Sequence, residues 1–179
     1  MSLIQGETGF MALTGEPDGP PTRMGLSIVD WMTGVTGMLA LVSSIMAARE
    51  TGEGRDVDVS LFDTALFQTT YPAVWYLNEG DVTERVARSG HPSLAPAQLY
   101  TAKDGYLYLM GLTAKFWDLI VDKIGRPDIG ADPRFIDFPA RLANRDALTE
   151  VLDVVFMEKT VDEWVGIFAG HVPVAPVYG

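Results

Sequence analysis

The chain of 179 residues contains no cysteine. Disulfides and thiolate metal ligands are therefore excluded, and a reducing compartment is compatible, so a cytoplasmic location is expected. Histidine is nearly absent as well. His91 and His171 stand far apart, no HExxH or related spacing exists, and no metal site is expected. Basic residues are scarce: 13 Lys and Arg face 24 Asp and Glu, for a formal charge of -11 and a pI near 4.4. Nucleic acid and anionic membranes are not expected partners, because both are bound through clustered cations. Any anionic ligand has to be gripped locally. The stretches "GEPDG" and "TGEG" lack the Lys and the strand-turn-helix context of a phosphate loop, which argues against nucleotide hydrolysis. No secretory signal is visible, since Met1-Ser2-Leu3 reads as an expression leader running straight into polar, glycine-rich sequence. Long uncharged runs are also rare. The one at Trp31–Ala48 just reaches the length of a membrane span, but its Thr33, Gly34, Thr36, Gly37, Ser43 and Ser44 suit lipid poorly, so a buried helix of a soluble protein is expected.

What is present is apolar substance: 47% of residues are hydrophobic and 10% aromatic, enough for one core or for a larger and a smaller lobe. The segment "ETGFMALTGEPDGPPTRMG" reads as loop and turn, running into a short extended piece at Leu26–Val29. Asp30 then stands alone, an acid between that piece and the uncharged run. It is expected as the N-cap of a helix from Trp31 to Arg49, and a cap can also be a reactive group, because a helix N-terminus stabilises the anion. Within that helix Gly34, Gly37, Ser44 and Ala48 form a stripe of small residues. Each glycine there costs about 1 kcal/mol relative to Ala, so a neighbouring helix or a ligand is expected close to the backbone.

Val57, Val59 and Leu61 alternate with Asp58 and Ser60 like a half-buried strand, and Ser60 with Asp63 suggests a cap that opens a helix from Leu61 to about Leu77. A domain boundary is expected near Asn78. The tract Asn78–Gln98 is polar and proline-bearing, so it should be a linker or a mobile functional loop; by itself Ser89-Gly90-His91-Pro92 is an ordinary turn. Beyond it a hairpin with Asp104-Gly105 in its turn is expected, then a helix capped by Thr113 and closed by Gly125, and another over Asn144–Met157. A capping box at Thr160 and Glu163 should open a last helix, ahead of an extended "VPVAPVYG". Trp117, Trp164 and Phe168 read as core, His171 as a surface or locally bonded residue, and Asp118, Asp122, Asp146, Glu150 and Asp153 as solvated faces.

Taken together, "GFMALTGEPDGPPTRMGLSIVDWMTG", "AARETGEGRDVDVSLFDTAL" and "SGHPSLAPAQLYTAKDGYLYL" resemble the middle of the class III CoA-transferases, the family of formyl-CoA transferase and the carnitine dehydratase/bile-acid-inducible proteins. The resemblance implies an α/β with α+β fold: the end of a Rossmann-like large domain over residues 1–77, a linker and glycine-type loop over 78–100, and a small α+β domain with the start of a return segment over 101–179. It also implies a homodimer of interlocked chains, and a longer polypeptide from which this is an excerpt. Asp30 matches the family's nucleophile, which forms a mixed anhydride and then an aspartyl-CoA thioester. Ser89, Gly90 and His91 match the loop over the intermediate, with one glycine where formyl-CoA transferase has several, and Leu61 matches a position near the pantetheine arm. No prosthetic group is implied; the substrates would be an acyl-CoA and a free carboxylic acid. Two alternatives stand beside transfer: an α-methylacyl-CoA racemase of the same fold, and a catalytically silent binding or scaffold member.

Overall fold

The computed structural model describes residues 2–179, so Met1 of the expected leader lies outside the described residues. The chain divides into two compact units, one ending at Arg85 and the other comprising Val86–Gly179.

The first unit is helical. Ser2 and Leu3, expected in a leader, instead begin α1 (Ser2–Glu7), and α2 (Phe10–Leu13) follows where loop was expected. Gln5 is buried, and its side-chain oxygen accepts a hydrogen bond from the Met24 N–H at 3.1 Å, which ties the Gly/Pro-rich segment back onto α1. Then comes α3 (Ile28–Thr51), a helix of 24 residues closed by Gly52 at φ 77. It is long and apolar enough to cross a membrane by length and composition. Within this chain the helix is largely uncovered, because apolar residues surround the axis and the neighbouring α4 (Leu61–Phe67) covers only part of it. Trp31, Met38, Leu39 and Met46 remain exposed, and Val29 is the buried residue of the helix.

No strand pairs with Val57–Leu61 among the described residues, so the alternation there marks an extended connection rather than a strand. The expected single helix to Leu77 is two. After α4 the chain breaks at Gln68–Thr70, with Thr70 at φ 52, and restarts as α5 (Tyr71–Glu79) with a proline in its first turn. Pro72 is the reason: it cannot donate within a continuous helix but suits a helix start.

The second unit is a three-stranded antiparallel sheet packed with helices. β1 (Ala97–Ala102) pairs with β2 (Gly105–Met110), which pairs with β3 (Val174–Val177). Ala102 is opposite Gly105, so the two-residue turn is Lys103-Asp104, one position earlier than expected. α6 (Ala114–Ile124) starts at Thr113, whose hydroxyl accepts from the Phe116 N–H at 3.2 Å, and stops at Gly125 in the left-handed region. α7 (Pro127–Ala131) and α8 (Phe138–Ala143) are short, and α9 (Arg145–Phe156) carries Leu148, Leu152, Val155 and Phe156 inward at helical spacing. The capping box at Thr160 is formed and opens α10 (Val161–Phe168).

These inward faces meet over Leu107 and Leu109 of β2. Phe156 sits at the centre, 4.9 Å from the Tyr100 ring and 5.2 Å from Trp164, and Trp164 donates its indole N–H to the Phe156 carbonyl at 2.8 Å. A fully buried aromatic with several ring neighbours leaves a large void when truncated. Phe156→Ala is therefore expected to lower stability by about 3–5 kcal/mol, read as a shift of the denaturant midpoint followed by tryptophan fluorescence.

Candidate active site

Asp30 is not the cap of α3. The incoming chain turns at Ser27, the helix starts at Ile28, and Asp30 is its third residue. The β-branched Ile28 and Val29 were expected to be extended, but Val29 is only 1% exposed and its burial outweighs its small helix penalty. Ser27 makes no side-chain cap bond, so no serine oxygen occupies the first-turn amides. The Asp30 side chain is half-buried, and its Oδ2 is fully buried without a hydrogen-bond partner. Leu26, Ser27, Ile28 and Trp31 of the same turn line an almost wholly apolar cavity of ≈ 490 Å³. An oxygen with no donor on it keeps its lone pairs uncommitted.

Leu61 is the first residue of α4, half-buried, directly after the Ser60 cap. The Ser60 hydroxyl accepts from the Asp63 N–H at 3.0 Å and donates to the Asp63 carboxylate at 2.6 Å. Asp30 and Leu61 thus lie on α3 and α4, which pack together in the first unit. Ser89, Gly90 and His91 belong to the second.

In that unit the chain makes a single 3₁₀ turn at Ala87–Ser89, with Arg88 at φ 58 and Ser89 at φ 51. Two adjacent non-glycine residues in the left-handed region each cost roughly 1–3 kcal/mol unless neighbours hold them. They are held. Arg88 forms an ion pair with Asp153 of α9 at 2.6 Å, and the Tyr108 hydroxyl donates to the Ser89 carbonyl at 3.0 Å. Asp153, expected on a solvated face, is thereby an anchor. The His91 N–H donates to the Ala97 carbonyl at 2.8 Å, and its ring Nδ1 accepts from the Ser93 N–H at 3.2 Å. Arg145 Nη2 donates to the carbonyls of His91 at 2.7 Å and Leu94 at 3.1 Å. Side chains of β2 and α9 reach the carbonyls of this stretch, within the tract expected to be a linker or a mobile functional loop. Tyr108 and Arg145 were not singled out from the sequence as tethers, and Asp153 was read only as a solvated-face acid; an Arg or Tyr bonding a distant carbonyl carries no local pattern.

Gly90 itself has an ordinary φ of -67. Its need is space: a Cβ there would lie 2.6 Å from Val86 Cγ1 and 3.0 Å from Arg145 Nη1. Burial and the nearby Arg145 charge together lower the His91 pKa from its ordinary 6.5, so the imidazole is neutral at pH 7. Among the described residues no group of three or more His, Asp or Glu side chains could hold a metal. Gly90→Ala is expected to destabilise the second unit by about 1–3 kcal/mol, and Val86→Ala in the same chain should recover part of that loss in a denaturant titration. The His91 ring should titrate by NMR with a midpoint below 6.5. A group with a depressed imidazole pKa binds fewer protons folded than unfolded, so its contribution to stability is present above the unfolded value and is lost as pH falls below it.

The chain is similar to several known proteins. Curated relatives include an "Acyl-CoA transferase" of Fusarium pseudograminearum, 35% identical over 98% of this chain and 38% of its own length. Another is the "Acetyl-CoA:oxalate CoA-transferase" of Acetobacter aceti, 32% identical over 98% of this chain and 46% of its own. The chain thus spans less than half the length of these relatives. Among solved structures, a CAIB/BAIF family protein from Brucella suis superposes with a TM-score of 0.81 at 32% identity, covering 98% of this chain and 47% of that one. Rv3272 from Mycobacterium tuberculosis shares the fold, with a TM-score of 0.86 at 23% identity over 99% of this chain and 46% of that one. The family described as CoA-transferase family III matches residues 2–179, and the chain belongs to it.

Proposed function

We propose that this chain carries the nucleophile of an enzyme that moves CoA from an acyl-CoA donor to a free carboxylic acid, within a polypeptide longer than these 179 residues. The observation that supports this most directly is the buried, unpartnered Oδ2 of Asp30 in the first turn of α3. Asp30 attacks the donor thioester carbonyl, the C–S bond breaks, and CoA leaves as thiolate from a mixed anhydride. The thiolate then attacks the aspartyl carbonyl, which releases the donor acid and leaves an aspartyl-CoA thioester. The acceptor carboxylate attacks that thioester and expels the thiolate again. The thiolate takes the acceptor acyl group and returns Asp30 as carboxylate. Every step exchanges one acyl bond for another, so no oxidant, metal or prosthetic group is needed.

The resemblance of Leu61 to a position near the pantetheine arm, and of Ser89, Gly90 and His91 to the family's substrate loop, supports assigning both to binding of the acyl-CoA. The neutral imidazole suits that task, since it adds no charge beside a thioester. Relatives are named for oxalate, mesaconate and glutarate as partners of CoA transfer, so a small dicarboxylic acid is the class of acceptor to test first. The nucleotide phosphates are held by basic residues outside this acidic stretch. The enzyme works as a homodimer in the cytoplasm, and the apolar residues exposed along α3 are surface that further chain would cover.

Intact-mass analysis of the complete polypeptide with acyl-CoA esters should find a CoA adduct on the peptide bearing Asp30. Asp30→Asn removes the anion yet keeps size and polarity, with a helix-dipole loss of about 0.3–1 kcal/mol. Turnover is expected to fall by about three orders of magnitude or more. Near-normal transfer by a folded Asp30→Asn enzyme would reject the assignment.

A further inference from the structure

Three carbonyls of one loop are gripped by two guanidinium groups from a single corner of the second unit. Arg145, the first residue of α9, donates from one nitrogen to His91 and Leu94 at 2.7 and 3.1 Å. Arg141, four residues earlier on α8, donates from Nε to the Ala95 carbonyl at 3.3 Å and from Nη1 to the Phe135 carbonyl at 3.0 Å. Arg141 is 1% exposed, and its guanidinium lies over the rings of Trp117 at 4.8 Å and Phe138 at 5.7 Å. Among the described residues neither arginine forms an ion pair with a carboxylate. Arg141 is buried and Arg145 half-buried with only longer-range attraction from Asp118, Asp137 and Asp146, so neutral donors would be the cheaper way merely to fill this corner.

The guanidinium has what a neutral donor lacks: a rigid planar fork whose charge roughly doubles the strength of each bond to a carbonyl. Arg145 also leaves Nη1 buried and unpartnered, directly under Gly90. Its orientation is therefore dictated by the loop carbonyls rather than by satisfying its own donors. Gly90 can adopt its position only because it has no Cβ to meet that nitrogen. The strained Arg88 and Ser89 sit immediately before this gripped backbone.

We propose that Arg145 and Arg141 are positioning residues for CoA transfer, holding the backbone of residues 91–95 so that Ser89, Gly90 and His91 are presented to the acyl-CoA in one conformation. The role in transfer rests on the function proposed above, whereas the grip itself does not.

The test uses the complete polypeptide with Arg145→Lys, Arg145→Gln and Arg141→Lys, and with Arg126→Gln as a control. Arg126 pairs only locally with Asp128 on the surface. Amide exchange at His91 and Ser93 is expected to quicken roughly ten- to hundredfold in the Arg145 variants, with Leu107 and Leu152 unchanged and the control like the parent. In the same proteins, per folded molecule, kcat should fall at least about tenfold while KM for acyl-CoA shifts less, as expected when orientation rather than binding is lost. Arg145→Lys should lose less than Arg145→Gln. Unchanged exchange at His91 in a folded Arg145→Lys protein overturns the grip. Faster loop exchange with parental kcat overturns the positioning role. A parent that transfers no CoA overturns the functional reading alone, because the exchange data still decide the grip.

Discussion

A guanidinium taken out of water and given only backbone carbonyls is the interaction on which the second unit turns. Arg141 bridges Phe135 to Ala95 while stacked on Trp117, so one side chain joins α6, the α7–α8 connection and the strand-entry loop. Arg145 extends the same contact to His91 and Leu94. Both depend on α8 and α9 being fixed, and that is the work of Leu148, Leu152 and Phe156, which carry α9 into the core against β1. The apolar core thus sets the helix, the helix sets the arginines, and the arginines set the loop.

In the first unit the controlling feature is a helix with little polar periodicity. α3 is apolar around its axis, which leaves Trp31, Met38, Leu39 and Met46 in the open, and it begins with a carboxylate whose Oδ2 has no partner. The two features are compatible because they occupy different parts of the helix. Its first turn is pinned by buried Val29, and its later turns present surface.

The sequence made the second unit largely legible and the first less so. Thr113, Gly125, Thr160 and Glu163 act through bonds within a few residues, so their capping roles could be read directly and are formed as expected. Phe168, Trp164 and Trp117 declared themselves by helical spacing and are buried. The start of α3 was misplaced by three residues because the β-branched pair Ile28-Val29 favours an extended chain locally, and tertiary burial overrides it. The alternation at Val57–Leu61 imitates a strand because a period of two does not reveal whether a pairing edge exists. At the site, Asp30 was conspicuous as a lone acid, and Gly90 as a glycine before a His-Pro turn. Arg141 and Arg145 were not, since their partners are carbonyls some 50 positions away in the chain, and carbonyls are the same for every residue type.

That last property has a consequence for how this scaffold changes over time. A loop fastened by its carbonyls is fastened without reference to its side chains. Pro92, Ser93 and Leu94 can be exchanged while the arginines continue to hold the same oxygen atoms. The side-chain surface of the loop can then drift without renegotiating its backbone shape, and selection on that surface is decoupled from selection on architecture. Gly90 stands outside that freedom, since any larger residue meets Val86 and the Arg145 fork.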